Sequence, residues 1–171
     1  MEQLKISIDP ACLQQAADDG NYAYLQVFVN RYLESLGGEL TANNMSALTA
    51  EQISLLAYSV FRDQMLEGGC IQLIHNGYGP FIFFNPFAKS MRLMGAAELA
   101  KLINKAKKLF IKYEDKIIAD CSDEEFMALY EAFPAFDPID DAFVEMEESF
   151  NAILARYVKE HIELFADVTK H

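Results

Sequence analysis

The segment from Gly68 to Gly95 constrains the fold of this chain more than any other part of the sequence. It contains five glycines, two prolines and four phenylalanines, and its only charged residues are Lys89 and Arg92. Its aromatic side chains need burial, which excludes an ordinary surface loop. A single regular helix is excluded as well, because each interior glycine costs about 1 kcal/mol relative to alanine. The segment therefore predicts short helical pieces, separated by tight glycine turns and wedged into the core.

Outside this segment, apolar residues recur at helical spacing, and several predicted helices begin with capping residues. Thr49 with Gln52 three residues later forms the pattern of a capping box. Either Asp120 or Ser122 opens a helix whose apolar residues follow at intervals of three and four. The last helix is predicted to begin near residue 137 and to run toward residue 167, with a broad apolar stripe along it.

Strand signals are weak throughout the chain. The runs KISI at residues 5–8 and FIFF at residues 81–84 are too short to anchor a sheet. No internal repeat is present, which argues against a solenoid. We predict one all-α domain over residues 1–171, a compact multi-helix bundle with a glycine-broken central segment.

Nothing in the sequence has the pattern of a targeting or membrane segment. The first residues lack a basic region followed by an apolar run, and no apolar stretch reaches the roughly 18 residues of a membrane span. The three cysteines at positions 12, 70 and 121 are far apart and odd in number. This pattern favours buried free thiols in a reducing compartment over a disulfide or a redox role. We expect a soluble cytoplasmic protein that does not bind membranes.

The formal net charge of −12 is distributed unevenly along the chain. Residues 61–113 carry eight basic and three acidic residues, whereas residues 114–171 carry four basic and sixteen acidic residues. Binding nucleic acid directly would require neutralising phosphates, which a chain of this charge mostly repels. Two explanations of the acid excess stay open: a solubilising helix face, and a docking surface for a basic partner.

The carboxylates of the last two predicted helices are the candidate partner-binding residues. Carboxylates one helical turn apart rise about 6 Å, whereas phosphates along one DNA strand rise about 3.4 Å, so one helix cannot copy a phosphate row. Two acidic helices, or two copies across a dimer, could present a comparable density. Such crowding weakens a helix through like-charge pairs, which is a hint that it has a use. The predicted acidic face consists of Asp123, Glu124, Glu125, Asp140, Asp141, Glu145, Glu147 and Glu148.

No catalytic or metal-binding signature is evident in the sequence. No histidine has a glutamate three residues before it, as a di-iron bundle requires, and no paired cysteine motif is present. The Gly77–Gly79 pair lacks the Lys and Ser/Thr that follow in a phosphate-binding loop. His75 is interpreted as a hydrogen-bonded structural histidine rather than a general base. We expect no enzymatic activity, no cofactor and no metal.

The stretches EGGCIQLIHNGYGPFIFFN and MRLMGAAELAKLINKA resemble the DNA-mimic-protein-like family, over roughly residues 50–165. The family pattern has a Glu before a Gly-Gly-aromatic, a Gln two residues later, an Asn with Gly, and a downstream Gly that opens an Ala- and Leu-rich helix. This chain departs from it by having Cys70 where an aromatic is usual. Ala106 also matches the pattern. The residues assigned to the structural motif are Glu67, Gly68, Gly69, Gln72, Asn76, Gly77, Gly79, Asn85 and Gly95.

The resemblance implies an all-α cytoplasmic bacterial protein, and it leaves a monomer and a homodimer both open. The resemblance also implies that, in at least one family member, an acidic surface imitates duplex DNA and occupies a DNA-binding transcription factor. The motif itself is expected to shape the fold. Its glycines would supply tight turns, while Gln72 and Asn76 would satisfy buried backbone groups.

Two functions from different classes follow from these observations. The leading hypothesis is an interaction protein whose acidic face binds a basic, DNA-binding protein without binding nucleic acid itself. The alternative is a small-molecule or peptide binding module that uses an aromatic pocket over residues 78–84. Salt distinguishes them, because binding through charges weakens as the Debye length shrinks from about 10 Å at 0.1 M to about 3 Å at 1 M. The aromatic residues of the alternative are Tyr78, Phe81, Phe83 and Phe84.

Overall fold

The computed structural model describes residues 3–168, which are helical over most of their length. Six longer helices are α1 (Pro10–Asp19), α2 (Asn21–Ser35), α3 (Ala50–Glu67), α7 (Ala97–Ile117), α8 (Asp123–Ala132) and α9 (Asp137–Glu160). Three short helices lie between α3 and α7: α4 (Gly69–His75), α5 (Gly79–Phe83) and α6 (Phe87–Leu93). Short 3₁₀ turns occur at Met45–Ala47, Pro134–Phe136 and Ile162–Leu164. The predicted all-α class is confirmed.

The described chain forms two compact units. The first contains the residues up to Ser59 and those from Glu148 onward, and the second is Val60–Glu147. The single domain over residues 1–171 that the sequence predicts stays a prediction.

The first unit is held together around the carbonyl oxygen of Phe165. This oxygen accepts hydrogen bonds from the Tyr32 hydroxyl at 2.7 Å and from the side-chain amide of Gln52 at 3.2 Å. Gln52 also completes the predicted capping box of α3, because its Oε1 accepts from the Thr49 N–H at 2.9 Å while the Thr49 hydroxyl accepts from the Gln52 N–H at 3.2 Å. Gln52 therefore both caps the start of α3 and binds the backbone at Phe165, which is distant in sequence.

The KISI run forms a single β-bridge rather than a strand within the described residues. Ser7 pairs in parallel with Asp167. The Ile8 N–H donates to the Asp167 carbonyl at 3.0 Å, and the Asp167 N–H donates to the Ile6 carbonyl at 2.7 Å. This bridge gives a reason why α9 ends at Glu160, which is earlier than predicted: beyond a 3₁₀ turn, Asp167 has left helical geometry to reach the amino-terminal run.

The core of the second unit is aromatic. Phe61 packs edge-on against Phe143 with ring centroids 5.2 Å apart and contacts Phe87 at 5.8 Å. Phe83 lies against Phe110 with centroids 5.0 Å apart. All five side chains are almost completely buried. Phe83 and Phe87 of the glycine segment thus meet the burial requirement that the sequence predicted, whereas Phe84 is 60% exposed and does not.

The glycine segment forms short helices, as predicted, and the structure shows three of them. Its glycines act in different ways. Gly77 has a φ of +86° at the end of α4, a conformation that favours glycine. Gly79 allows a close approach instead, because a β-carbon there would lie 2.3 Å from the ring of Phe110. Turn geometry and close packing together explain why the segment is rich in glycine.

Three local predictions were wrong. Within residues 3–168, the Gln72 and Asn76 amides do not satisfy buried backbone groups. Both donate to the Oε1 of Gln64, at 3.2 and 2.9 Å. These bonds link α3 to α4 through side chains, because the turn at Gly68 brings the two helices together. The third correction concerns Cys12, whose free thiol is exposed rather than buried.

Candidate partner-binding face

Helix α8 begins with a capping box that engages one of its carboxylates and leaves two others exposed. The Ser122 hydroxyl accepts from the Glu125 N–H at 3.2 Å, and the Glu125 carboxylate accepts from the Ser122 N–H at 3.3 Å. Ser122 rather than Asp120 is therefore the N-cap, and Glu125 is engaged in the cap. Asp123 and Glu124 are exposed in the first turn, where the helix dipole favours negative charge.

Helix α9 carries an outward stripe of exposed side chains. Asp141 and Glu145 are exposed and lie one turn apart, since residues four apart share a helix face. Val144, between them in sequence, is 57% exposed. On α8, Met127 is likewise exposed, at 63%, one turn after Asp123. Each acidic helix in the second unit therefore combines carboxylates with an exposed apolar side chain.

Asp140, one of the predicted face residues, instead turns inward to the glycine motif. Its Oδ1 accepts the Cys70 N–H at 2.9 Å. Burial is the main cause that raises the pKa of Asp140 above its ordinary value, while hydrogen bonds from Cys70 lower it and the charges of Asp137 and Asp141 raise it. Burial, then the Asp140 charge, also raise the pKa of the Cys70 thiol. The carboxylate therefore acts as a cap for α4, and Cys70 is not an activated thiol.

Gly69 makes this cap possible. Its φ is +77°, and a β-carbon at this position would lie 2.4 to 2.9 Å from the Asp140 carboxylate. Next to it, the Tyr130 hydroxyl donates to the carbonyl of Gly68 at 2.8 Å. The Gly-Gly pair is thus a point where α4, α8 and α9 meet.

Two further carboxylates of the predicted face have partners within the protein. Glu147 pairs with Arg62 at 2.6 Å, and only 15% and 20% of the two side chains are exposed. Glu148 belongs to the first unit; it is exposed and accepts from the side-chain amides of Asn21 at 3.1 Å and Asn151 at 3.3 Å. Asn21 is the first residue of α2, which begins after Gly20 without a side-chain cap.

Four carboxylates of the predicted set are exposed and make no hydrogen bond or ion pair within residues 3–168. We call these four residues the acidic face from here on. They are Asp123, Glu124, Asp141 and Glu145.

The aromatic residues that the alternative hypothesis places in one pocket differ in their exposure to solvent. Phe83 is buried against Phe110, whereas Phe84 packs on the same ring at 5.5 Å but stays 60% exposed. Tyr78 is 38% exposed. Cavities of about 380 and 330 Å³ lie elsewhere, and both are lined by residues of the first unit. The aromatic segment is thus divided between core and surface.

His75 is hydrogen-bonded, as predicted. Its Nδ1 lies 2.8 Å from the carbonyl oxygen of Ile117, and its ring packs on Phe126 with centroids 4.7 Å apart. Over residues 3–168, no group of three or more His, Cys, Asp or Glu side chains is placed to hold a metal ion. In the same range, none of the helices combines the length and the apolar character that crossing a membrane requires.

Comparison with known proteins identifies the family of this chain. The model of the DMP19-like proteins matches residues 46–161. The chain belongs to the DMP19-like family. It is 33% identical over 148 residues to DNA mimic protein DMP19 of Neisseria meningitidis serogroup B, and the alignment covers 85% of this chain and 88% of that protein. The predicted resemblance is confirmed, and both the glycine motif and the acidic face lie inside the matched range.

Proposed function

We propose that this protein binds a basic, DNA-binding protein through the acidic face on α8 and α9. The observation that carries the proposal is the contrast between Glu147, paired with Arg62 at 2.6 Å, and the four face carboxylates, which are exposed without a partner within residues 3–168. Exposed carboxylates without an internal partner can pair with an incoming cation without first breaking a bond within the protein. The similarity to a protein named as a DNA mimic supports the same partner class.

Charge supports a basic partner over nucleic acid. A net charge of −12 steers a cationic surface toward the protein and repels phosphates. Two acidic helices also offer a higher density of carboxylates than one helix could, since each helix spaces its own by about 6 Å per turn. We therefore propose that the isolated protein does not bind duplex DNA.

The exposed apolar residues favour a protein partner over simple counter-ions. Met127 is 63% exposed on α8, and Val144 is 57% exposed on α9, each within one turn of a face carboxylate. Protein interfaces combine an apolar core with polar, charged surroundings. Contact with these two side chains would add a component of affinity that salt does not screen.

The test uses a charge-reversed face and a matched control. Asp141→Lys with Glu145→Lys changes the net charge by four units, and so does Glu39→Lys with Glu163→Lys, two exposed residues of the first unit. Exposed substitutions of this kind usually change stability by less than about 0.5 kcal/mol each, so both variants should fold. Circular dichroism and melting temperature check this before any binding measurement.

The assay measures competition with DNA. DNA-binding proteins are captured from bacterial extract on the immobilised protein at low salt, purified individually and bound to a labelled duplex. Wild type and the control variant should displace the duplex, whereas the face variant should compete at least tenfold more weakly, because its local steering is reversed. Equal competition by the face variant and the control, or failure of every captured protein to release DNA, would overturn the proposal.

A further inference from the structure

A cavity of about 380 Å³ lies in the first unit, lined by α1, the start of α2, the end of α9 and the segment that follows it. This volume falls in the range of small-molecule sites. Most of its walls are apolar. The apolar side chains that line it include Leu13, Ala17, Ile162 and Val168.

Two polar groups stand against these apolar walls. The Lys159 ammonium lies 4.9 Å from the centre of the Tyr24 ring, and no carboxylate pairs with it within residues 3–168. Tyr24 is only 4% exposed, and its hydroxyl has no hydrogen-bond partner in the same range. The third polar side chain of the lining, Gln14, already donates to Asp18 at 3.1 Å. Within residues 3–168, the Lys159 ammonium and the Tyr24 hydroxyl therefore line the cavity without a polar partner.

The Tyr24 hydroxyl is a hydrogen-bond donor at neutral pH. Burial raises the pKa of Tyr24 to about 12, so its hydroxyl keeps its proton. Lys159 is exposed at the rim, so its ammonium meets solvent on one side and the Tyr24 ring on the other. No enclosed side-chain oxygen or nitrogen within residues 3–168 lacks a hydrogen-bond partner, so the Tyr24 hydroxyl keeps contact with solvent and stays accessible to a ligand.

We infer that this cavity binds a small monocarboxylate with an apolar body, its carboxylate at Lys159 and Tyr24. A single cation suits a single negative charge, and a carboxylate can accept from both donors at once. The apolar body would displace water from the walls formed by Leu13 and Ile162. This site lies in a different unit from the acidic face, so it is independent of the proposed function.

Sodium octanoate is the probe, titrated calorimetrically into the full chain. Acetate, which lacks the apolar body, and 1-octanol, which lacks the charge, should each bind at least tenfold more weakly. Lys159→Met, which keeps an apolar chain over Tyr24, should weaken octanoate binding about tenfold or more, because a hydrogen bond to a charged group contributes about 1.5–3 kcal/mol. Lys105→Met, at an exposed position on α7, should leave binding unchanged.

Two further variants separate the site from unspecific binding. Tyr24→Phe retains the ring and should weaken octanoate binding severalfold. Ala17→Phe should fill the cavity and abolish octanoate binding. Circular dichroism verifies that each variant is folded. Absence of octanoate binding at millimolar concentration, or equal binding by Lys159→Met and Lys105→Met, would overturn the inference.

Discussion

Replacing Gly69 by alanine should destabilise the protein through two separable effects. The first is backbone strain, since a φ of +77° places an L-residue in the left-handed region at about 1–2 kcal/mol. The second is the carboxylate of Asp140, which the new β-carbon would approach to 2.4–2.9 Å. To make room, the carboxylate would move away from the Cys70 N–H that it now meets at 2.9 Å.

Gly77 supplies the matched control. Its φ is +86°, and a β-carbon there would meet nothing within 4 Å, so Gly77→Ala carries the strain alone. Losing a hydrogen bond to a charged acceptor removes about 1.5–3 kcal/mol. We therefore expect the free energy of unfolding to fall by about 1–2 kcal/mol in Gly77→Ala and by about 2.5–5 kcal/mol in Gly69→Ala.

Urea unfolding followed by far-ultraviolet circular dichroism measures both free energies. The comparison is repeated in an Asp140→Ala background, where Gly69→Ala and Gly77→Ala should become equally destabilising, because no carboxylate remains to be displaced. Equal destabilisation in the wild-type background, or a gap between the two variants that persists without Asp140, would refute the reasoning.

Two further predictions concern buried charge in the second unit. Because burial raises the pKa of Asp140 above 3.8, the folded state binds its proton more tightly than the unfolded chain does. The stability of wild type relative to Asp140→Asn should therefore increase as the pH falls from about 7 toward the ordinary value, to about 4. Urea titrations at the two pH values measure this, and a constant difference would contradict it. Arg62→Met should lower the free energy of unfolding by about 2–3 kcal/mol, because it leaves the Glu147 carboxylate without its cation, and Arg62→Met with Glu147→Met should recover most of the loss. A double variant as unstable as the single one would show that the Arg62–Glu147 pair is not the cause.

Features that depend on neighbouring residues were predictable from the sequence. The capping boxes of Thr49 with Gln52 and of Ser122 with Glu125 close over three residues, so the pattern contains all the partners. The broken helical path of residues 68–95 followed from glycine propensity and aromatic burial. Family membership followed from the same segment, which lies within the matched residues 46–161.

Features that depend on partners far away in the sequence could not be predicted from it. Asp140 and Asp141 are adjacent acidic residues with the same local signature, yet one caps α4 and the other is exposed. Glu147 lies 85 positions from its partner Arg62 in the sequence. The Gln72 amide donates to the side chain of Gln64, a contact that no local sequence pattern predicts. Sequence spacing could place all the carboxylates on two helices, but it could not divide them into paired and unpaired groups.

The sequence alone determined the helical class, the main helix starts, the glycine turns and the surplus of negative charge, because propensity, capping and composition act over a few residues. Tertiary structure alone decided which carboxylates of α8 and α9 are paired within the protein and where a lysine meets an apolar cavity. Those outcomes depend on which surfaces pack together, and packing joins residues such as Gly69 and Asp140, which are 71 positions apart, through a contact that neither residue's neighbours encode.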